Sequence, residues 1–340
     1  MRRALPIATL LLVACGVTDG TLPKTTDPSD TDTDTDSDTD TNTDTDTDTD
    51  TDTDTDTNTL PTFDCLTIPE QIIATRAVTN AKGYHGLAFD ANDQIVGADN
   101  SNNLIAVAYD GTGGVWVPNI GGNEQIAYLD NGDLAVATNS NITRITPAGG
   151  ESQLANLGGV YGLAVGPDGM LYAADWDKIE RIDPTTGQRT TVVPGNSPKV
   201  VAFNHEGTHM YFGTISNGGK VYSVELDANY DPVAPPVLVA STPGSWHDGL
   251  GLDICGNIYV AEFNNRSLYR IGATTHNVQV LYDYPPAQYG HGLVWGSGSG
   301  GWDDHMLYVP QPYNSNTVGE VDIGVPPAGW EGSPIGTSPF

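Results

Sequence analysis

Apolar and polar side chains alternate in short runs from about residue 70 onward, and these runs recur in a fixed order. Each copy is an alternating run, a tight turn and a second run, which is the pattern of a β-hairpin. The copies stand at 84–96, 123–136, 160–172, 198–211, 247–260 and 290–309, the last with a Gly/Ser insertion. Equivalent positions are Gly86, Gln125, Gly162, Val200, Gly249 and Gly292, with spacings of 39, 37, 38, 49 and 43 residues. A four-stranded propeller blade needs about this length.

Turn chemistry and the missing helical periodicity support the same architecture. Asn131-Gly132 and Asp168-Gly169 are two of the hairpin turns, where glycine supplies the positive backbone angle that a tight hairpin requires. The last copy lacks a fourth strand, whereas an apolar run at 71–78 precedes the first copy and has no blade of its own. We predict an all-β, six-bladed β-propeller in which this N-terminal strand completes blade six and closes the ring.

Composition excludes several classes of protein. The 340 residues include 40 Gly and 23 Pro, too many turn residues for a coiled coil or helix bundle. Lys and Arg number 13 against 43 Asp and Glu, so the chain carries a formal charge of -30 and nucleic-acid binding is disfavoured.

The N-terminus resembles a bacterial lipoprotein signal. Arg2 and Arg3 precede a short apolar stretch, and Leu12-Val13-Ala14-Cys15 follows at its end. The resemblance implies cleavage before Cys15, lipidation of that cysteine and an address in the cell envelope, at the outer membrane because Gly16 follows the cysteine. An ordinary secretory signal with an incidental cysteine is the alternative.

A polar stalk separates this signal from the repeats. Residues 27–59 are nearly pure Thr-Asp alternation with fourteen Asp and no basic residue, a composition that cannot bury a core. We therefore divide the chain into a signal peptide at 1–14, a lipid-anchor cysteine with a disordered stalk at 15–59, the propeller at 60–325 and a C-terminal tail at 326–340.

With Cys15 assigned to lipid, two cysteines remain. In an oxidising compartment Cys65 and Cys255 could form a disulfide between the segment before the propeller and blade five. Two separate thiols are the alternative.

The copy at 247–262, with the strand at 268–271, looks like the gluconolactonase/regucalcin-like superfamily and the related NHL-repeat propellers. The similarity covers residues 70–324 and implies a scaffold that hosts lactonases, lyases and pure binding modules. In the gluconolactonase-like family a Glu, an Asn and an Asp hold a divalent cation. Asp248 matches the Asp, while His85 stands at the Glu position and Lys199 replaces the Asn.

Residues that precede the aligned positions should form one ring facing the central channel. This ring contains His85, Glu124, Tyr161, Lys199, Asp248 and His291. His85, His291 and Glu124 come from consecutive blades and are a ligand set for zinc or iron, with Asp248 as a further metal ligand. Tyr161, Lys199 or Asp248 could then act as acid, base or anion receptor. Strand starts are commonly polar, so a hydrated channel mouth without chemistry is the alternative.

The tryptophans are scattered through the copies and indicate blade packing or rim contacts, with Trp246 and Trp295 nearest the ring. From these observations we predict a lipid-anchored envelope protein whose propeller binds a small-molecule ligand or a protein partner. The alternative is a metal-dependent hydrolase, lactonase-like, or a lyase, with one divalent metal (Zn, Fe or Ca) in the channel.

Overall fold

The computed structural model describes residues 60–340 apart from 217 and 315, so the predicted signal peptide, Cys15 and the stalk lie outside the described residues. Within the described part, no helix has the length and apolar character needed to cross a bilayer. The first described residues, 60–73, form a segment that we call the strap. It contains β1 (Thr62–Asp64) and a 3-10 helix (Cys65–Thr67), and β2 (Thr75–Val78) follows it.

The next strands, together with β2, form five sheets. In chain order these strands are β3 (Leu87–Phe89), β4 (Ile95–Ala98), β5 (Leu104–Val107), β6 (Gly113–Val117), β7 (Ile126–Tyr128), β8 (Leu134–Ile145), β9 (Glu151–Val165), β10 (Leu171–Asp175), β11 (Lys178–Ile182), β12 (Arg189–Pro194), β13 (Pro198–Phe203), β14 (His209–Thr214), β15 (Lys220–Glu225), β16 (Val237–Ser241), β17 (His247–Leu252), β18 (Ile258–Glu262), β19 (Ser267–Ile271), β20 (Val278–Asp283), β21 (Val294–Trp295), β22 (Met306–Gln311) and β23 (Thr317–Asp322). The sheets are β3–β6, β7–β12, β13–β16, β17–β20, and β21–β23 with β2. Neighbouring strands within each sheet are antiparallel, which is the arrangement of a β-propeller.

The prediction of six separate blades is corrected to five sheets, because repeats two and three share one six-stranded sheet. The first part of β8 pairs with β7, and its part from Asn139 to Ile145 pairs with β9. Strand β9 in turn pairs with β10 through Val160 to Val165. Two long strands thus carry the backbone ladder from one repeat into the next without a break.

The N-terminal strand closes the ring. Strand β2 pairs antiparallel with β23, with Val78 opposite Val318, and completes the last sheet as the sequence predicted. The Arg76 guanidinium and the Glu320 carboxylate form an ion pair across the two strands. An edge that would otherwise be open to pairing with another chain is therefore covered.

The hydrophobic core is divided among the interfaces between successive repeats. Apolar side chains on the facing surfaces of neighbouring repeats form six clusters of buried residues. One cluster joins Val78 of β2 and Tyr308 of β22 to Leu87 of β3, so the last repeat packs against the first. Burial on both faces allows strands such as β4 and β5 to carry consecutive apolar residues, so the alternation expected from the sequence is incomplete in these strands.

The strap is held by a disulfide to the fifth repeat and by strand pairing to the residues that follow β23. Cys65 and Cys255 form a disulfide with their Cα atoms 5.8 Å apart. Strand β1 pairs in parallel with β24 (Ser333–Ile335). The buried Arg270 side chain donates hydrogen bonds to the carbonyl oxygens of Pro69 at 2.7 Å and Glu70 at 3.0 Å. The strap is thus attached to the fifth repeat as well as leading into the last sheet.

Candidate functional site

Five of the six ring residues stand at or just before the starts of the inner strands, and Tyr161 lies within the long strand β9. Glycine follows four of the six. A Cβ atom at Gly86, Gly162, Gly249 or Gly292 would collide with the backbone of the next inner strand. At Gly292 the colliding atom is the carbonyl oxygen of His85. The missing side chains therefore allow the inner strands to approach closely, and the channel is narrow at the level of the six ring residues.

Gln125 occupies one of the aligned positions that glycine fills elsewhere, and its side chain crosses the channel. Its Nε2 donates to the carbonyl oxygens of Asp248 at 3.0 Å and His85 at 3.3 Å. Its backbone N–H donates to the carbonyl oxygen of Tyr161 at 3.1 Å. Further along the channel lies a cavity of about 170 Å³, with Leu163 and Leu293 among its lining residues. Gln125 thus lies between this cavity and the end of the channel that holds the six ring residues, which we call the mouth.

Charged and polar ring residues pair at the mouth. His85 Nδ1 lies 2.9 Å from Glu124 Oε2, and Lys199 Nζ lies 3.1 Å from Asp248 Oδ1. The other oxygen of Asp248 is 3.7 Å from Nδ1 of His291. The rings of His85 and His291 are neighbours, with centroids 4.6 Å apart. The structure therefore brings five of the predicted residues into one buried cluster, which we call the floor.

The floor is buried but incompletely satisfied. Lys199, Asp248 and His291 are 2%, 1% and 4% exposed, and His85 and Glu124 are also buried. Although the pairs are close, Lys199 Nζ, both Asp248 oxygens and both ring nitrogens of His291 lack hydrogen-bond geometry to any of the described residues. Buried polar atoms without partners are costly, so this cluster is suited to receive a further group.

The surroundings set the charge states of one floor residue, His291, and of Tyr161 beside the floor. Burial, with smaller effects of His85 and Lys199, lowers the pKa of His291 to about 2, so its imidazole is neutral at physiological pH. Burial also raises the pKa of Tyr161, and the nearby Glu124 and Asp248 carboxylates add to the increase. Tyr161 therefore keeps its phenolic proton, and the Lys199 ammonium lies 3.8 Å from the centre of its ring.

Seven aromatic side chains surround the floor, and we call them the collar. The collar consists of Tyr84, Tyr161, Trp176, Trp246, Phe263, Tyr289 and Tyr313. His291 contacts the rings of Phe263 and Tyr313 at centroid distances of 4.6 and 5.0 Å. Trp176 is 52% exposed and Tyr313 50% exposed, so the collar reaches solvent. A mouth with aromatic walls above a polar floor has the composition of a ligand pocket.

The collar was largely missed from the sequence, because its members come from loops as well as strand starts and follow no common spacing. Trp246 belongs to it, with its ring 5.0 Å from Lys199 Nζ. Trp295 does not, since it is buried in the core and donates from Nε1 to the carbonyl oxygen of Val325. His247, the neighbour of Asp248, points away from the floor and pairs with Thr242 Oγ1 at 2.8 Å.

Comparison with solved structures identifies the fold as that of known β-propellers. A gluconolactonase from Xanthomonas campestris has 14% sequence identity and a TM-score of 0.62, with 74% of this chain and 89% of that chain covered. The calcium-binding protein regucalcin from Agrobacterium tumefaciens has 17% identity and a TM-score of 0.62, with 82% and 99% covered. An auxiliary nutrient binding protein from Bacteroides ovatus has 16% identity and a TM-score of 0.56, with 72% and 69% covered.

No protein family model matches the sequence, and no curated protein matches it either. At these identities the similarity shows the fold alone. The fold agrees with the resemblance found in the repeats, while the function has to be argued from the mouth of the channel.

Proposed function

We propose that this propeller binds a small ligand at the mouth of its channel. The observation that supports the proposal is the combination of an aromatic collar with a buried, partly unsatisfied floor that Gln125 closes from behind. Such a pocket offers apolar walls for affinity and a few fixed polar groups for orientation. One of the proteins with a similar fold is called a nutrient binding protein, which is the same class of activity.

The binding test compares collar variants with a tryptophan variant elsewhere. A small-molecule library is screened by thermal shift on the full chain, and hits are titrated by calorimetry. Trp246→Ala or Tyr313→Ala should weaken binding about tenfold or more, because each removes a ring from the wall of the pocket. Trp116→Ala, on the outer strand β6, is the matched control and should leave affinity unchanged. Equal affinities for the wild-type protein and all three variants would refute binding at the mouth.

We propose further that Cys15 carries lipid and holds the protein at the cell envelope, with residues 1–14 removed, 15–59 as stalk, 60–325 as propeller and 326–340 as tail. The Cys65 to Cys255 disulfide supports an oxidising compartment. Metabolic labelling with a fatty-acid analogue should mark the wild-type chain and not Cys15→Ala. Equal labelling of both chains would contradict the assignment.

A second candidate function is metal-assisted hydrolysis or elimination in the channel. Ligand atoms of His85, Asp248 and His291 all lie within 4.8 Å of one another, which favours this candidate. A divalent metal there would polarise a substrate carbonyl, while Tyr161 with its raised pKa could donate a hydrogen bond to developing negative charge. Turnover of lactone, ester or lyase substrates that disappears in His291→Ala would support it. Turnover that persists in this variant would exclude the site.

The calcium site of the gluconolactonase-like family does not fit these residues. Lys199 stands where that family has a neutral Asn, and its ammonium is 3.1 Å from Asp248 Oδ1, the one matching ligand. A hard cation that prefers six to eight oxygen ligands would meet two imidazoles and a single carboxylate instead. We therefore derive no step through calcium.

A further inference from the structure

We infer that the floor is a transition-metal site of the zinc, cobalt or iron(II) class, in which His85, His291 and Asp248 are the ligands and Glu124 and Lys199 are their outer partners. The inference rests on the proposed pocket at the mouth and names the group that completes its floor. It differs from the sequence prediction, which counted both Glu124 and Asp248 among the ligands, by making Glu124 an outer partner.

Geometry selects these three ligands. Their ligand atoms lie within 4.8 Å of one another, so one ion between them could reach all three with small side-chain adjustments. Asp248 Oδ2 is 3.7 Å from His291 Nδ1, a separation suited to two ligands of one ion and too long for a direct hydrogen bond. Glu124 does not belong to this group, although its Oε2 lies 2.9 Å from His85 Nδ1.

Buried polar atoms without hydrogen-bond partners support the same choice of ligands. Both ring nitrogens of His291 and both oxygens of Asp248 lack hydrogen bonds to the described residues, and both side chains are more than nine-tenths buried. An imidazole nitrogen without a hydrogen-bond partner is available to a metal ion. The floor holds two carboxyl side chains and one lysine, so a divalent cation there would meet more acidic than basic groups.

Outer partners are already in position for both kinds of ligand. Glu124 lies 2.9 Å from Nδ1 of His85, which leaves Nε2 of the same ring for the metal. Lys199 lies 3.1 Å from Oδ1 of Asp248, which leaves Oδ2 for the metal. A carboxylate behind a ligating histidine and a donor on a ligating carboxylate are the usual outer contacts of metal sites.

The arrangement also indicates the class of ligand that the metal would take from solution. Three protein ligands leave at least one coordination position open, and Gln125 blocks approach from the interior of the channel. The open position therefore faces the collar. We expect a ligand with an oxygen donor, such as a carboxylate or hydroxamate, carried on a ring that can stack on aromatic side chains.

The test measures metal binding on the full chain without any organic ligand. The apo chain is exposed separately to Zn²⁺, Co²⁺ and Ca²⁺, dialysed, and analysed by mass spectrometry for retained metal. We expect one Zn²⁺ or Co²⁺ per chain, no retained Ca²⁺, and visible absorption bands from Co²⁺ bound to nitrogen ligands. His291→Ala should lose the metal and the bands, and Glu124→Gln should weaken Zn²⁺ binding about 10- to 100-fold.

A surface cluster of Asp303, Asp304 and His305 provides the matched control, because it also brings three potential ligands together but is more exposed. His305→Ala should retain the metal in full. Circular dichroism and the melting temperature establish whether His291→Ala is folded. The isosteric Asp248→Asn is a second variant of a proposed ligand and is examined in the same metal-retention measurement. Failure to retain Zn²⁺ and Co²⁺, or loss of metal in His305→Ala but not in His291→Ala, would overturn the site. Collar variants in the ligand titration report on the pocket independently.

Discussion

The disulfide between strap and fifth repeat should contribute a large share of the stability of the domain. Cys65 and Cys255 are 190 residues apart, so breaking the bond releases a very long loop in the unfolded chain. The loop-entropy relation gives about 5 kcal/mol for this length. The corresponding fall in melting temperature is about 10–20 °C for a domain of this size. We expect these losses when Cys65→Ala and Cys255→Ala are combined, with alanine chosen because Cys65 is 1% exposed and a serine hydroxyl would be buried.

The assay is urea unfolding, with Cys15→Ala in both chains so that no third thiol can exchange. Because the cross-link acts mainly on the unfolded state, its removal should also raise the dependence of unfolding free energy on urea, since the freed chain exposes more surface. Reduction of the parent chain should reproduce both changes. A loss below about 1 kcal/mol, or an unchanged urea dependence, would refute the entropic reasoning and leave only a local role for the bond.

Two further substitutions test the channel. Gln125→Gly removes the side chain that bridges Asp248 and His85 and should lower the unfolding free energy by about 1–3 kcal/mol in urea titrations, and no loss would mean that the bridge is dispensable. Gly292→Ala forces a Cβ atom against the His85 carbonyl and should cost at least about 2 kcal/mol, whereas Gly329→Ala, where a Cβ atom has open space, should change stability by less than about 0.5 kcal/mol. Similar effects of the two alanines would contradict the close approach of the inner strands.

Sequence periodicity was sufficient to predict strands, repeats and ring closure, since each depends on local alternation and on glycine at fixed turns. The number of sheets was not predictable in this way. Repeats two and three merge because β8 and β9 continue through residues 139–160, and whether a ladder breaks there depends on backbone hydrogen bonds between strands. Both arrangements are compatible with the same alternating pattern.

The ring positions could be read from the repeat alignment, but their pairing could not. Which carboxylate lies beside both histidines depends on the width of the channel and on side-chain directions. The sequence grouped Glu124 and Asp248 with His85 and His291. In the structure the ligand atoms of Asp248 and both histidines lie within 4.8 Å of one another, and Glu124 Oε2 lies 2.9 Å from His85 Nδ1. Gln125 was aligned with the glycines, and its role became visible only with the opposite strands in place.

Closure of the ring by β2 has a consequence for synthesis. Arg76 of β2 precedes its partner Glu320 by 244 residues. A ribosome that adds ~5–20 residues per second needs on the order of ten to fifty seconds to make the intervening chain. Throughout that time β2 has no native partner strand. The last sheet, and with it the closed ring, can therefore form only after all the repeats have been made.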